Sequence, residues 1–243
     1  MKQSAFPTTH ATGLRTLVDA ALACAGIDAR VDLARRTLME RYAEPLAVFV
    51  RGSSLARLGE PAEVVNGYFV ARLSDSASVV DFLSRWARSG MRLRRWMMNG
   101  ILFYGQGLAR DRARWMQRNQ HVEGPGLELR EGPSATGEDD FERAWALAVV
   151  REATARAEQA LLDEGRSDDF EIFRRHAIDG QPYAAFAAEV ERTAQQCAGA
   201  TRLVAQRVRA ALADLLREEG LDEPEIDGEI ARIQRVLADS PRR

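Results

Sequence analysis

The chain has 243 residues, a hydrophobic fraction of 46% and a formal net charge of −2. This length is enough for one large or two small domains, and the near-neutral charge excludes a protein that binds nucleic acid over its whole surface. The charge is unevenly distributed, because nine arginines and a single acid, Asp111, lie between Arg85 and Arg118. Any nucleic-acid surface should therefore be local.

The N-terminal 30 residues form an extension in which residues 17–27 are apolar and contain a lipobox-like Ala-Leu-Ala-Cys. Asp19 interrupts this stretch, so it predicts an amphipathic helix and not a signal peptide. No run of the sequence is as long as a membrane span, which predicts a soluble, cytoplasmic protein. Cys24 and Cys197 belong to no paired pattern, and we expect buried thiols.

Between residues 31 and 118, four apolar faces recur with helical spacing. They comprise Leu38, Tyr42, Leu46 and Phe49; Val64, Val65, Tyr68, Phe69 and Leu73; Val79, Phe82, Leu83 and Trp86; and Leu93, Trp96, Met97, Ile101 and Tyr104. This pattern predicts one compact helical domain. Aromatic residues at helical spacing usually belong to a core, so Trp86 and Trp96 are interpreted first as packing residues.

Residues 119–139 change character and predict a flexible linker. The segment has no helical period and is rich in glycine and proline, at Gly124, Pro125, Gly126, Gly132, Pro133 and Gly137. A second helical domain is predicted at residues 140–220, followed by an acidic helix and tail at 221–243. Because no segment has strand periodicity, the predicted fold class is all-α, with two helical domains on a flexible linker.

Within the second domain, aspartates mark predicted helix starts. Asp139 or Asp140 would cap one helix, and Asp168 or Asp169 the next. A short helix at 183–190 and a polar stretch containing Cys197 and Gly199 precede a longer helix that Gly220 would end. A last helix is predicted at about residues 224–237.

No catalytic pattern is present, and we expect neither an enzyme nor a cofactor or metal site. The three histidines, His10, His121 and His176, lie at no metal-ligand spacing, and there is no glycine-rich phosphate loop. The helix pair at 183–219 has the order of a helix-turn-helix. Its second helix carries outward groups that bind phosphates and base edges, namely Arg202, Gln206, Arg207 and Arg209. A helical hairpin with a solvated arginine face accounts for this pattern equally well.

From Phe141 onward the chain resembles the extracytoplasmic-function group of bacterial RNA polymerase sigma factors. A Phe-x-x-x-Trp-Ala opening is matched by Phe141, Trp145 and Ala146, and a Tyr-Ala motif by Tyr183 and Ala184. The recognition helix of that group is matched by Gly199, Ala200, Gln206, Arg207, Val208 and Arg209. The resemblance covers residues 31–237.

The first domain resembles sigma region two. Arg41, Tyr42, Pro45 and Leu46 match its opening helix, and residues 62–73 match the helix that grips the polymerase clamp. Arg92, Leu93, Arg94 and Trp96 match the segment before the promoter-melting surface. The resemblance implies a protein that binds core RNA polymerase and promoter DNA, with an anti-sigma factor as a further partner and no small-molecule substrate.

The resemblance also implies roles for individual residues. Polymerase would be bound by Arg41, Glu63, Tyr68 and Arg72. The minus-ten element would be bound by Arg92, Arg94, Arg95, Trp96, Tyr104, Arg110, Arg112 and Arg114. The minus-thirty-five element would be bound by Arg202, Gln206, Arg207 and Arg209.

Two departures from the family leave alternatives to an active sigma factor. Val64, Gly67 and Tyr68 stand where the family has acid and amide groups, and the helix-turn-helix turn has about four additional residues within 191–197. The alternatives are a degenerate sigma-like DNA-binding regulator and a helical protein–protein interaction module that does not bind DNA.

Overall fold

A computed structural model describes residues 27–118 and 135–239, and every regular element in these two segments is helical. The all-α prediction is therefore confirmed for these residues. Nearly all of the N-terminal helix predicted at 17–27 and most of the linker predicted at 119–139 lie outside the described residues. The last five residues of that linker, 135–139, are instead the start of a long helix.

The two segments contribute helices of very different lengths. The first segment contains α1 (Ile27–Arg51), a short 3-10 helix (Ser54–Leu58), α2 (Pro61–Leu73), α3 (Ser76–Ser89) and α4 (Leu93–Arg118). The second segment contains α5 (Ala135–Asp163), α6 (Ser167–Phe173), a π-helical turn (Arg174–Ile178), α7 (Tyr183–Phe186), α8 (Ala194–Glu218) and α9 (Glu223–Ala238).

Local sequence explains where several of these helices begin and end. Asp75 caps α3 by accepting a hydrogen bond from the Ser78 backbone N–H at 2.8 Å, and Gly90 ends it with a φ of 67°. Gly220 follows α8 with a φ of 88°, as predicted for a terminating glycine. Asp222 and Glu225 form a capping box at the start of α9.

The start of α8 differs from the prediction, which placed a polar stretch containing Cys197 and Gly199 before the helix. A capping box explains the difference: Thr193 accepts from the Gln196 N–H at 3.2 Å, and Gln196 accepts from the Thr193 N–H at 2.7 Å. The helix therefore begins at Ala194. Cys197 and Ala200 then lie one turn apart, and both are buried.

The predicted aspartate caps are wrong in both places. Asp139 and Asp140 lie inside α5, which begins four residues or more before them, at Ala135. Asp168 lies in the first turn of α6, and Asp169 is 4% exposed because Arg166 and Arg192 both pair with its carboxylate.

One apolar core extends through both segments. The predicted faces of α1, α2, α3 and α4 are buried in it, although Trp96 and Tyr104 are only half-buried. The second segment contributes α5, the end of α8 and α9 to the same core. Phe49 of α1 meets Phe141 of α5 edge to face at 6.1 Å between ring centroids, and Trp145 is fully buried.

The other end of the second segment has small cores of its own. Ile172, Phe186 and Cys197 form one cluster, which fixes α7 against the start of α8. Leu161, Phe170 and Val204 form another between α5, α6 and α8. α6, α7 and the start of α8 are therefore packed outside the shared core, and this region carries the predicted helix-turn-helix.

Candidate nucleic-acid and polymerase interface

The outer face of α8 presents three of the predicted DNA-binding residues together. Arg202, Gln206 and Arg209 are exposed, and their spacing of four and three residues places them on one side of the helix. Arg209 pairs with Asp227 of α9 at 2.8 Å, whereas Arg202 makes no ion pair with any described residue. Arg207 lies beside this face and pairs with Glu164 at 3.0 Å. The face carries donors and acceptors suited to phosphates and base edges.

The turn before α8 is long, as the sequence indicates, but it occupies residues 187–193 and not 191–197. Glu191 has a φ of 52°, and the Arg192 N–H donates to the Ala187 carbonyl at 3.0 Å. The Arg192 side chain then ties the turn to Asp169. These contacts, with buried Phe186, give the longer turn a defined shape.

The C-terminal end of α4 is a second basic surface. Arg110, Arg112 and Arg114 are exposed, and the acid that pairs with this group is Asp111, at 3.6 Å from Arg114. Trp115, which is absent from the predicted binding residues, is 57% exposed beside them. Its position within an arginine-rich run is the signal that could have identified it. An exposed indole among arginines can stack on a base while the arginines bind phosphate.

Three other predicted minus-ten residues, Arg92, Arg94 and Arg95, lie at the N-terminal end of α4, where acids of the second segment face them. Arg92 pairs with Glu225 and Glu229, each at 3.0 Å. Arg95 pairs with Glu138 at 2.9 Å. These arginines therefore contact protein carboxylates in the described arrangement.

Arg94 is the most enclosed of this group, at 5% exposed. It pairs with Glu142 at 3.2 Å and with Glu229 at 3.0 Å, and its guanidinium lies 4.3 Å from the centre of the Trp145 ring. Arg232 of α9 completes the cluster by pairing with the same two glutamates. Stacked and doubly paired, Arg94 is part of the packing between the two segments.

Among the predicted polymerase-binding residues, Arg41 is also buried, at 3% exposed. It forms a bidentate pair with Glu152, at 2.8 Å for both bonds, and reaches Glu218 at 3.0 Å and Glu219 at 3.1 Å. The Tyr42 hydroxyl donates to Glu219. We define these five residues as the Arg41 cluster.

Electrostatics in the Arg41 cluster favour the charged arginine. Burial acts to lower the pKa of Arg41, but the hydrogen bond with Glu152 and the charge of Glu219 outweigh it and raise that pKa well above its ordinary value. Burial raises the pKa of Glu219, against the opposing effects of Arg41 and Tyr42. Burial also acts to raise the pKa of Glu152, but Arg41 and Arg156 lower it on balance.

The remaining residues predicted to bind polymerase divide into two groups. Glu63 and Arg72 are exposed on α2, whereas Tyr68 is 1% exposed and its hydroxyl has no hydrogen-bond partner among the described residues. Tyr68 packs over Gly100, where an added Cβ would lie 2.2 Å from the hydroxyl. Packing therefore explains the side chains at positions 64 and 68 of α2, since Val64 is buried as well.

A groove of about 280 Å³ lies between α2, α3 and α4. Trp96 lines it, half-buried and edge to face with Phe82 at 6.0 Å. The Trp96 indole N–H has no partner within the described segments, whereas the Trp86 indole N–H donates to the Met91 carbonyl at 2.9 Å. Trp96 thus packs on the core and also faces the groove. Tyr104 lies behind it against Tyr68, with ring centroids 5.9 Å apart.

Searches of protein-family models, curated proteins and solved structures each find no match to this chain. In the described segments no three or more His, Cys, Asp or Glu side chains are grouped to hold a metal ion. None of the helices described in residues 27–118 and 135–239 combines the length and apolar character needed to cross a bilayer.

Proposed function

We propose that the protein is a sigma-type transcription initiation factor that binds core RNA polymerase and promoter DNA. The observation that supports this most directly is the exposed Arg202, Gln206 and Arg209 face of α8, on a helix held against α7 by the Phe186 cluster. A helix that presents arginine and glutamine on one face can enter the major groove, where these side chains bind guanine, adenine and phosphate.

The exposed end of α4 supports a second contact with nucleic acid. Arg110, Arg112 and Arg114 would bind the backbone of the melted minus-ten strand, and Trp115 would stack on a base. On the other side of the first segment, Glu63 and Arg72 would contact the polymerase clamp. In this proposal residues 31–118 and 140–220 act as two domains, joined through residues 119–139.

A helical interaction module that does not bind DNA is the second candidate. Glutamates pair with Arg41, Arg92, Arg94 and Arg95. This pairing favours the interaction module, because paired and buried arginines are not free to bind phosphates. Between the two candidates lies a DNA-binding regulator that does not engage polymerase.

Salt-dependent DNA binding distinguishes these candidates. The logarithm of the association constant for duplex DNA should fall linearly with the logarithm of salt concentration. Arg202→Gln should reduce the slope by about one phosphate contact and weaken binding, because Arg202 makes no competing ion pair with a described residue.

Arg151→Gln is the matched control. Arg151 is also exposed, but it lies on α5 and pairs with Glu44 of α1, outside the proposed α8 face, so its loss should leave the slope unchanged. Binding that is independent of salt, or equal slopes for both variants, would reject the DNA-binding proposal and favour the interaction module.

A further inference from the structure

The groove between α2, α3 and α4 has two walls built on helical spacing. α2 contributes Tyr68, Ala71 and Arg72, and α4 contributes Trp96, Gly100 and Phe103. Positions three, four and seven residues apart lie on one side of a helix, so each of these helices turns a single face to the groove. At about 280 Å³ the groove is close to the lower limit of small-molecule sites, which begin at about 300 Å³. It therefore suits a ligand with a single ring.

Two polar side chains that line the groove have buried donors without a hydrogen-bond partner among the described residues. Tyr68 is 1% exposed, and its hydroxyl has no partner. The Trp96 indole N–H is enclosed as well and has none either. Buried donors are normally paired, so two unpaired donors beside one groove indicate a place for the acceptor atoms of a ligand.

The walls beside these donors are aromatic. Phe82 of α3 meets Trp96 edge to face, with 6.0 Å between the ring centroids. Phe103 lines the same groove and is 66% exposed, so apolar surface is left uncovered there. Water satisfies polar donors but leaves an apolar wall uncovered. A planar ring among these three side chains would cover the wall and stack on aromatic faces.

The rim of the groove supplies a positive charge. Arg85 pairs with Asp81 at 2.9 Å and is neutralised, whereas Arg72 is exposed and makes no ion pair with any described residue. Burial raises the pKa of Tyr68, and the nearby Arg72 charge opposes that rise. Arg72 is therefore free to bind an anion, and it lies close to an unpaired donor.

We infer that this groove is a binding site for a small aromatic acid. The ring would lie against Phe82, Trp96 and Phe103, and the carboxylate would accept hydrogen bonds from the Arg72 guanidinium. A hydroxyl or ring nitrogen elsewhere on the ligand would accept from Trp96 or Tyr68. Neither DNA nor polymerase takes part in this recognition, so the inference goes beyond the proposed function and is tested separately from it.

4-Hydroxybenzoate is the probe, because it combines one aromatic ring, a carboxylate and a hydroxyl. It should bind the full-length protein with a Kd of about 0.1–1 mM, as expected for a ligand of about ten non-hydrogen atoms. In NMR spectra of protein labelled with ¹⁵N-tryptophan, the indole N–H signal of Trp96 should move as the probe is added. The signals of the other three tryptophans, none of which lines the groove, should move far less. Trp96→Phe identifies the signal.

Two related compounds test the chemical class of the ligand. Phenol lacks the carboxylate, and cyclohexanecarboxylate lacks the planar ring. Each should bind at least tenfold more weakly than 4-hydroxybenzoate. Equal binding of phenol would show that the rim charge is not used, and equal binding of cyclohexanecarboxylate would show that the aromatic walls are not used. Either result would overturn the inference.

Matched variants test the position of the site. Arg72→Gln removes the rim charge and should weaken binding of 4-hydroxybenzoate at least tenfold, whereas Arg36→Gln, at an exposed arginine of α1, should leave the Kd unchanged. Ala71→Leu places a larger side chain in the groove and should also weaken binding. Ala62→Leu, at an exposed position of the same helix outside the groove, should not.

These comparisons use variants whose circular dichroism matches that of the wild type. A Trp96 signal that stays in place at about ten times the highest expected Kd would overturn the inference. Equal binding of the probe by Arg72→Gln and Arg36→Gln would overturn it as well. Both results would leave the proposed function standing, because that function is tested by binding to DNA and polymerase.

Discussion

Removal of the Arg41 charge should destabilise the protein far more than removal of an exposed arginine. Arg41→Met retains side-chain length but leaves Glu219, which is 0% exposed, without its ion-pair partner, whereas Glu218 keeps its pair with Arg156. Breaking one side of a buried ion pair costs about 3–5 kcal/mol, because the remaining charge stays desolvated. Exposed pairs are worth about 0–1 kcal/mol, so Arg151→Met should cost less than about 1 kcal/mol.

Urea unfolding followed by circular dichroism measures both free energies of unfolding. Adding Glu219→Gln to Arg41→Met should recover part of the loss, since the buried negative charge is then removed. The coupling between the two substitutions should be about 0.5–3 kcal/mol, as for residues in one network. Equal destabilisation by Arg41→Met and Arg151→Met would refute the assignment of Arg41 as a buried charge centre.

The loss of stability caused by Arg41→Met should depend on pH. The pKa of Glu219 is already raised by burial, and Arg41 opposes that rise. A raised folded-state pKa means that this group favours the fold at low pH and disfavours it as pH rises through that pKa. Without Arg41 the pKa rises further, so Arg41→Met should be less destabilising at pH 5 than at pH 8. A loss that is equal at both pH values would contradict this mechanism.

Two other predictions concern local packing and capping. Gly100→Ala should destabilise by about 1–3 kcal/mol, because the new methyl meets the Tyr68 hydroxyl, and Tyr68→Phe should relieve most of that loss in the double variant. Tyr68→Phe alone should cost little, since the hydroxyl has no partner among the described residues. Thr193→Ala should lower the free energy of unfolding by about 1 kcal/mol, because it removes the α8 cap. Gln195→Ala, two residues away, should leave that free energy nearly unchanged. Urea unfolding checks both, and additive losses at Tyr68 and Gly100 or a neutral Thr193→Ala would contradict them.

Helical periodicity is enough to predict most of the fold. Spacing alone selects Leu38, Tyr42, Leu46 and Phe49, and all four are fully buried. Each helix buries one apolar stripe, and the spacing of that stripe can be read from the sequence of the helix itself. The α8 capping box is also present in the sequence as Thr193 and Gln196, but the polar residues around it conceal the helix start.

Local periodicity cannot predict whether the candidate arginines face solvent or pair with glutamates of the other segment. The resemblance to sigma factors predicts that Arg41 and Arg94 bind partners, which requires both side chains to face solvent, as charged residues normally do. Arg41 instead meets Glu152 and Glu218, which lie 111 and 177 residues further along the chain. Pairings at that separation depend on how the two segments pack, and no local pattern encodes them. The division into two domains and the role of each candidate residue stay predictions.

Binding to core RNA polymerase tests the central claim most directly. The full-length protein should bind purified core polymerase saturably at moderate salt, and Arg72→Glu should weaken binding at least tenfold, because Arg72 is exposed on α2 where the clamp would dock. Arg235→Glu, the same charge change on an exposed arginine of α9, should leave binding unchanged. Failure of the wild type to bind, or equal effects of the two substitutions, would contradict a sigma-type function.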